Sequence, residues 1–286
     1  MKKILILGAG GMAGHVMAEY LTQKPEYEIV RCARRTVTPD TILLDVTEFS
    51  HVDDVLGEQR PDIVINCVGM LIQSSRDRLD QAILINSYLP HYLSRLGNKY
   101  GFRLIHISTD CVFSGDKGGY AEDDFRDGDT PYARTKALGE VINDRDLTLR
   151  TSIIGPELRQ NGTGLLHWFL MQKGEIRGFA KAYWSGITTL ELAKVVDDCI
   201  VHGITGLVNL TLTSKISKFD LLMECQRVWH HDKVKILPGD DHACDKSMIT
   251  RRNDLPIHLP PNYPAMLVEL RDFMNQRREW YRHYPL

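Results

Sequence analysis

The chain has 286 residues, 43% hydrophobic and 25% charged, enough to bury a full core and a smaller second lobe. A formal net charge of −2 argues against nucleic acid or an anionic membrane as partner, and the short Arg31, Arg34, Arg35 cluster does not change that. Six scattered cysteines (Cys32, Cys67, Cys111, Cys199, Cys225, Cys244) include no CxxC pair and no metal-ligand spacing, so free thiols in a reducing compartment are expected.

The apolar run Ile4–Leu7 after Lys2-Lys3 is too short for a signal peptide. No stretch of about 18 apolar residues occurs, so no membrane span is expected and the cytoplasm is the default location. The sequon Asn161-Gly162-Thr163 is then chance.

In chain order, Lys3–Leu7 reads as a buried strand and Met12–Thr22 as a helix. Glu28–Cys32, Thr41–Leu44, Ile63–Cys67, Arg103–Ile107 and Leu147–Thr151 read as further strands. Helical patterns lie between them near His51–Gly57, Leu79–Lys99 and Tyr132–Asn143. Continuous apolar strands alternating with helices predict an α/β fold, a doubly wound parallel sheet of Rossmann type over residues 1–155. Residues 156–286 read as a smaller α/β lobe, partly interleaved with the first, that covers the carboxyl ends of the strands. Its elements are helices at Leu165–Gln172, Thr189–His202 and Lys218–His230, and a strand near Gly206–Leu212. A Pro- and His-rich stretch (Pro256 to Pro264) precedes a final helix, Ala265–Trp280.

Gly8-Ala9-Gly10-Gly11-Met12-Ala13-Gly14 joins the first strand to the first helix. Residues without Cβ there let backbone N–H groups and a helix N-terminus approach a pyrophosphate. Two registers fit: Gly8-x-Gly10-x-x-Ala13 and Gly8-x-x-Gly11-x-x-Gly14. At the end of the second strand stands Arg31-Cys32-Ala33-Arg34-Arg35, with no acid for a ribose 2′-OH. Guanidinium groups suit a 2′-phosphate, so NADP(H) is favoured over NAD(H).

Pro131-Tyr132-Ala133-Arg134-Thr135-Lys136 starts a helix, and a spacing of four puts Tyr132 and Lys136 on one face, about 6 Å of rise apart. A lysine ammonium beside a phenol favours the phenolate, which equips Tyr132 to shuttle a proton at a carbon that also exchanges hydride. The pair follows Ile107-Ser108-Thr109-Asp110, a strand whose carboxyl edge carries two hydroxyls. Thr109, in preference to Ser108, is placed to orient the reacting oxygen.

These residues resemble the extended short-chain dehydrogenases/reductases, and within them the dTDP-4-dehydrorhamnose reductase branch. The resemblance rests on Gly8-x-x-Gly11-x-x-Gly14, Asp45-Val46-Thr47, Arg60-Pro61-Asp62-Ile63-Val64-Ile65-Asn66, Ile85-Asn86 and Ser108-Thr109-Asp110-Cys111-Val112-Phe113-x-Gly115. Tyr132-x-x-x-Lys136 with Gly139-Glu140, and Arg150-Thr151-Ser152, complete it across residues 1–155. Trp184–Leu190 and Asp245-Lys246-Ser247 extend it more weakly. It implies Thr109, Tyr132 and Lys136 as catalytic residues and Gly8, Gly11 and Met12 at the pyrophosphate; the glycine spacing adds Gly14 there, and the basic stretch puts Arg34 at the 2′-phosphate. Asp45 and Val46 would meet the adenine, and Cys67, Val68 and Gly69 would pass beneath the cofactor. The implied substrate is a nucleotide-linked 4-keto-6-deoxyhexose used for cell-surface polysaccharide, with room for a homodimer.

Two departures fall in the implied sugar pocket. Ile153 replaces the branch's aromatic residue after Arg150-Thr151-Ser152, and Cys67 to Gln73 is more apolar than usual. Both leave the sugar open. An epimerase or dehydratase on the same scaffold is a competing reading, although Asp110-Cys111 lacks a dehydratase's Asp-Glu pair. A second is a regulatory subunit, since the regulatory beta subunit of methionine adenosyltransferase resembles the same branch. The eleven histidines show no metal-binding spacing. His230-His231-Asp232 reads as a helix end and Asp240-Asp241-His242 as a loop beside Pro238-Gly239, so no metal site is expected. Trp184 suits either the pocket or the core, and Arg251-Arg252 either a diphosphate or solvent.

Overall fold

A computed structural model of the protein describes residues 1–255 and 259–284. Strand β1 (Lys2–Leu7) is apolar without interruption from Ile4 to Leu7, where both its faces are covered. Ile4 and Ile6 enter one apolar cluster, Leu5 and Leu7 the other. Around it, β2 (Tyr27–Ala33), β3 (Ile42–Leu43), β4 (Ile63–Asn66), β5 (Arg103–Thr109), β6 (Leu147–Thr151) and β10 (Gly206–Asn209) form a parallel sheet. Among the described residues its order is β10-β6-β5-β4-β1-β2-β3. The order reverses at β1, whose neighbours are β2 and β4, so the crevice at their carboxyl ends is the topological switch point.

Helices α1 (Met12–Thr22), α2 (Phe49–Gln59), α3 (Ile72–Asp77), α4 (Leu79–Ala82), α5 (Leu89–Tyr100) and α6 (Pro131–Leu138) connect these strands. One face is closed by α2 and α5 through Val52, Val55, Leu56, Leu93 and Leu96. The other is closed by α1 together with α8 (Thr189–Val201) and α10 (Tyr263–Asn275), which come from the second half of the chain.

That second half also holds α7 (Leu165–Leu170), a short pair β7 (Ile153–Ile154) and β9 (Ile187–Thr188), and a separate sheet of order β11-β8-β12. The last comprises β11 (Ile216–Ser217), β8 (Gly174–Trp184) and β12 (Val234–Asp245), backed by α9 (Lys218–Trp229). It meets the first lobe beyond β5, where Tyr120 bridges Met248 and Asp245 N–H donates to Gly115 O at 2.7 Å.

Several boundaries differ from the sequence reading. The stretch before Thr189, polar enough to pass for loop, is the eleven-residue β8, with Gly178, Ala182 and Trp184 turned inward and Glu175, Arg177, Lys181 and Tyr183 outward. Asp240-Asp241-His242 lies in β12 rather than a loop, at a register shift between Gly239 and Ala243 that absorbs the turn-forming Pro238-Gly239. The helix expected to run to Asn143 stops at Leu138. A Cβ on Gly139 would stand 1.8 Å from the Asn86 carbonyl oxygen, so only glycine fits at the end of α6. The pattern over Leu79–Lys99 is α4 and α5 joined by a π-helical segment (Ile83–Tyr88), which puts one extra residue into the turn. Of the Pro- and His-rich stretch, residues 256–258 lie outside the described residues.

Candidate active site

The glycine turn sits at the switch point. Gly8 has φ +80°, and a side chain on it would meet Val68 and the Cys67 backbone at 3.1–3.3 Å. A Cβ on Gly14 would come within 2.2 Å of Gly8 O, whereas one on Gly10 would first meet the Val37 side chain at 3.1 Å. The register that ends on Gly14 is therefore the one whose last glycine admits no side chain. Gly11 caps helix α1 without a side chain, leaving the helix's first N–H groups available to an anion. This cradle fits a pyrophosphate. Beyond β2, Arg34 and Arg35 are exposed; the pKa of exposed Asp45 is lowered mainly by hydrogen bonds from Thr47, with a smaller contribution from the Arg34 charge. Arg31 is not available: it is buried and donates to Asp40 at 3.1 Å and to Thr22 at 2.7 Å. Val46 is buried in the cluster beneath β1.

On the other side of the crevice, β5 ends at Thr109, buried and folded into a tight turn. Its Oγ1 accepts from Cys111 N–H and donates to Asp110 Oδ1, both at 3.1 Å. Helix α6 starts opposite. Thr130 caps it by accepting from Ala133 N–H at 3.1 Å, and Pro131 occupies the first turn, where no N–H is needed. Tyr132 and Lys136 follow on one face. Ser108, next to Thr109, points elsewhere: its hydroxyl donates to Glu140 Oε1 at 2.8 Å.

The electrostatics differ from the sequence argument, which had Lys136 pulling the Tyr132 phenol towards ionisation. Burial dominates and raises the phenol's pKa, with Cys111 and Asp110 adding to it and a Thr109 hydrogen bond opposing it. Tyr132 is a firmly protonated phenol. Burial also lowers the pKa of Lys136, to about 8, against upward pulls from Glu140 and Cys67. Lys136 Nζ donates to Ile107 O at 2.8 Å and lies 3.4 Å from His106 Nε2.

Three supporting groups had no role in the reading of spacings. Asn86, on the π-helical segment, accepts from Met70 N–H at 2.8 Å and donates to Met70 O at 3.1 Å and Thr135 Oγ1 at 3.2 Å. It thus ties the loop after β4 to α6. Glu140, just past α6, takes a bidentate pair from buried Arg150 at 2.8 and 2.9 Å and a further bond from Arg126 at 3.1 Å. His106 stands behind Lys136 on β5. Asn86 and Glu140 were visible only as members of a motif, and His106 carried no signal.

Other candidates resolve simply. Trp184 is buried against Tyr263, a core position. Arg251 pairs with Asp123 and Arg252 with Asp254, so neither is free for a diphosphate. Ile153 lies in β7 opposite Ile187, and the apolar Leu71 and Ile72 are exposed at the start of α3. His231 is buried against Phe169, its Nε2 3.1 Å from Gln172 O. No described helix is long and apolar enough to cross a membrane.

The chain as a whole has counterparts. A family model described as the RmlD substrate binding domain matches residues 1–245. The chain belongs to that family. This RmlD-family chain is 30% identical over 209 residues to the spore coat polysaccharide biosynthesis protein SpsK of Bacillus subtilis, covering 71% of each chain. It is 26% identical over 248 residues, 82% of each chain, to a dTDP-4-keto-6-deoxy-D-glucose reductase of Streptomyces niveus. In fold it matches the crystal structure of dTDP-4-dehydrorhamnose reductase from Bacillus anthracis in complex with NADP. There the TM-score is 0.81 at 24% identity, over 96% of this chain and 99% of that one.

Proposed function

We propose that this RmlD-family chain is a nicotinamide-dependent oxidoreductase that reduces the keto group of a nucleotide-linked 4-keto-6-deoxyhexose, in the supply of polysaccharide precursors. The observation that carries the reading is the half-buried phenol of Tyr132, its pKa raised by desolvation, beside the Thr109 hydroxyl at the carboxyl edge of β5. The names of the relatives supply the substrate class. Gly8, Gly11, Met12 and Gly14 would hold the dinucleotide's pyrophosphate, Asp45 and Val46 its adenine, and Cys67, Val68 and Gly69 would lie beneath it. Arg34 would face a 2′-phosphate, which favours NADP(H). When bound, the reduced cofactor supplies hydride to the keto carbon.

The Thr109 hydroxyl turns from Asp110 to donate to the carbonyl oxygen, and Tyr132 donates its phenolic proton to that oxygen as charge develops on it. A phenol with a raised pKa is a weak acid in water, but its acceptor here is an alkoxide. Lys136, one turn along α6, faces the phenolate that is left. Incubating the protein with NADPH and a panel of nucleotide-linked 4-keto-6-deoxyhexoses tests the reading, and net NADPH consumption separates it from an internal epimerase cycle. Tyr132→Phe is expected to lower kcat by at least 100-fold while NADPH affinity stays within about threefold. Undiminished turnover in that variant rules out this mechanism.

A further inference from the structure

The parallel register of β4 and β5 sets Asn66 directly beside His106, and both side chains are fully buried. The orientation of the Asn66 amide follows from its neighbours. Val68 N–H donates to Asn66 Oδ1 at 3.1 Å, so the amide NH2 is the group that faces His106 Nδ1 at 3.2 Å. A flipped amide would set two donors against each other at Val68. Nδ1 must therefore be the unprotonated nitrogen. Burial first, then Lys136 and His91, pull the His106 pKa well below its ordinary value, so the ring is neutral and carries its single hydrogen on Nε2.

That N–H points at Lys136 Nζ, 3.4 Å away. An ammonium there presents a second donor and gains nothing from the ring; its bond to Ile107 O at 2.8 Å is the one that holds it. A neutral amine keeps that bond and also accepts from Nε2–H. We propose that His106, locked by Asn66 in the Nε2–H form, is a positioning residue that stabilises the amine form of Lys136 and so promotes release of its proton. In the reduction assigned above, on which this inference rests, Tyr132 becomes phenolate when it protonates the substrate oxygen. A Lys136 N–H bond then breaks and the Tyr132 O–H bond re-forms, directly or through an intervening hydroxyl. Ammonium and phenolate become amine and phenol, and His106 holds the amine.

The other groups facing this cluster do not supply the same effect. Glu140 and Cys67 both favour the ammonium. The Cys67 thiol is pushed up to about 12 by burial and is neutral, and the Glu140 carboxylate is already shared among Ser108, Arg150 and Arg126. His91 acts on His106, not on Lys136.

Long-range 1H–15N correlation spectra of histidine-labelled protein read the tautomer directly and need neither substrate nor cofactor. The expected result is neutral His106 with its proton on Nε2 on both sides of the Lys136 midpoint; a proton on Nδ1 overturns the proposal. His106→Gln supplies a carbonyl that can face the ammonium. Its Lys136 midpoint, read from lysine 13Cε shifts, is expected to rise by at least one pH unit, a tenfold gain in proton affinity. An unmoved midpoint also overturns the proposal. If His106→Gln fails to fold, the tautomer of the unaltered protein still decides. Where turnover is found, the alkaline limb of its pH profile should move with the midpoint. Absence of turnover on every sugar removes the reductase reading and leaves the spectroscopic result standing.

Discussion

Lys136 is 3% exposed, and burial brings its pKa from 10.5 down to about 8. Because the folded value lies below the unfolded one, the unfolded chain binds the extra proton between about pH 8 and 10.5. The stability penalty is complete below that window and is relieved as pH rises through it. Lys136→Met is therefore expected to stabilise the fold at pH 7 by on the order of 1–3 kcal/mol, with the gain vanishing towards pH 10.5. Urea denaturation at pH 7 and pH 10 measures this, and a loss of stability at pH 7 would count against a buried ammonium. At this scale the sequence was legible where chemistry follows spacing along one element. Tyr132 and Lys136 are four apart on a helix, and Thr109 ends a strand. His106 was not legible, because its partners Asn66 and Lys136 are forty and thirty residues away and only the β4–β5 register brings them together.

Among the elements, the glycine turn leaves no room for a side chain at its last glycine. A methyl at Gly14 cannot avoid Gly8 O at 2.2 Å, since both partners are backbone and neither can swing aside. Gly14→Ala should push the turn off α1 and weaken NADPH binding by more than tenfold, read by fluorescence titration, while far-UV circular dichroism stays close to the parent. Unchanged affinity would mean that the turn does not carry the pyrophosphate. Helix α6 shows why element ends were harder to place than element types. Its residue pattern runs on past Leu138, whereas the helix ends at Gly139, a position that Asn86 on another helix restricts to glycine because its carbonyl oxygen fills the space a Cβ would take. Strand β8 was missed for a different reason. Only one of its faces is covered, so Glu175, Arg177 and Lys181 masked a period-two pattern that Gly178, Ala182 and Trp184 spell out on the other.

Across the whole molecule, the far end of the described chain is tied back to the glycine helix. His15 Nδ1–H donates to Gly11 O at 2.7 Å, which leaves Nε2 to accept from the Tyr281 hydroxyl at 2.9 Å. Tyr284 in turn lies 2.9 Å from His167 Nδ1 and donates to Glu157 O, while Glu157 Oε1 accepts from the Thr163 and Gly164 N–H groups above Met12. Burial holds the His15 pKa at about 4, below its ordinary 6.5, so the ring binds less proton in the folded chain than in the unfolded one. Stability from this contact is intact above about pH 6.5 and is lost as pH falls through 4. The ring alone should account for roughly 2–3 kcal/mol of acid destabilisation. His15→Gln is expected to flatten the slope of stability against pH between 6.5 and 4; an unchanged slope would assign that loss to other groups.

Strand β10 carries a further consequence, for synthesis rather than for the finished protein. All five residues of β6 are buried, yet its outer partner is Gly206–Asn209, and the helices over one face of the sheet begin at Thr189 and Tyr263. A ribosome that has released the first 155 residues has therefore released a sheet with an open edge and one apolar face covered by α1 alone. Such a nascent chain is a template for strand addition until translation has moved on by some fifty residues. Slow codons would be least tolerated within that interval, and chaperones most needed.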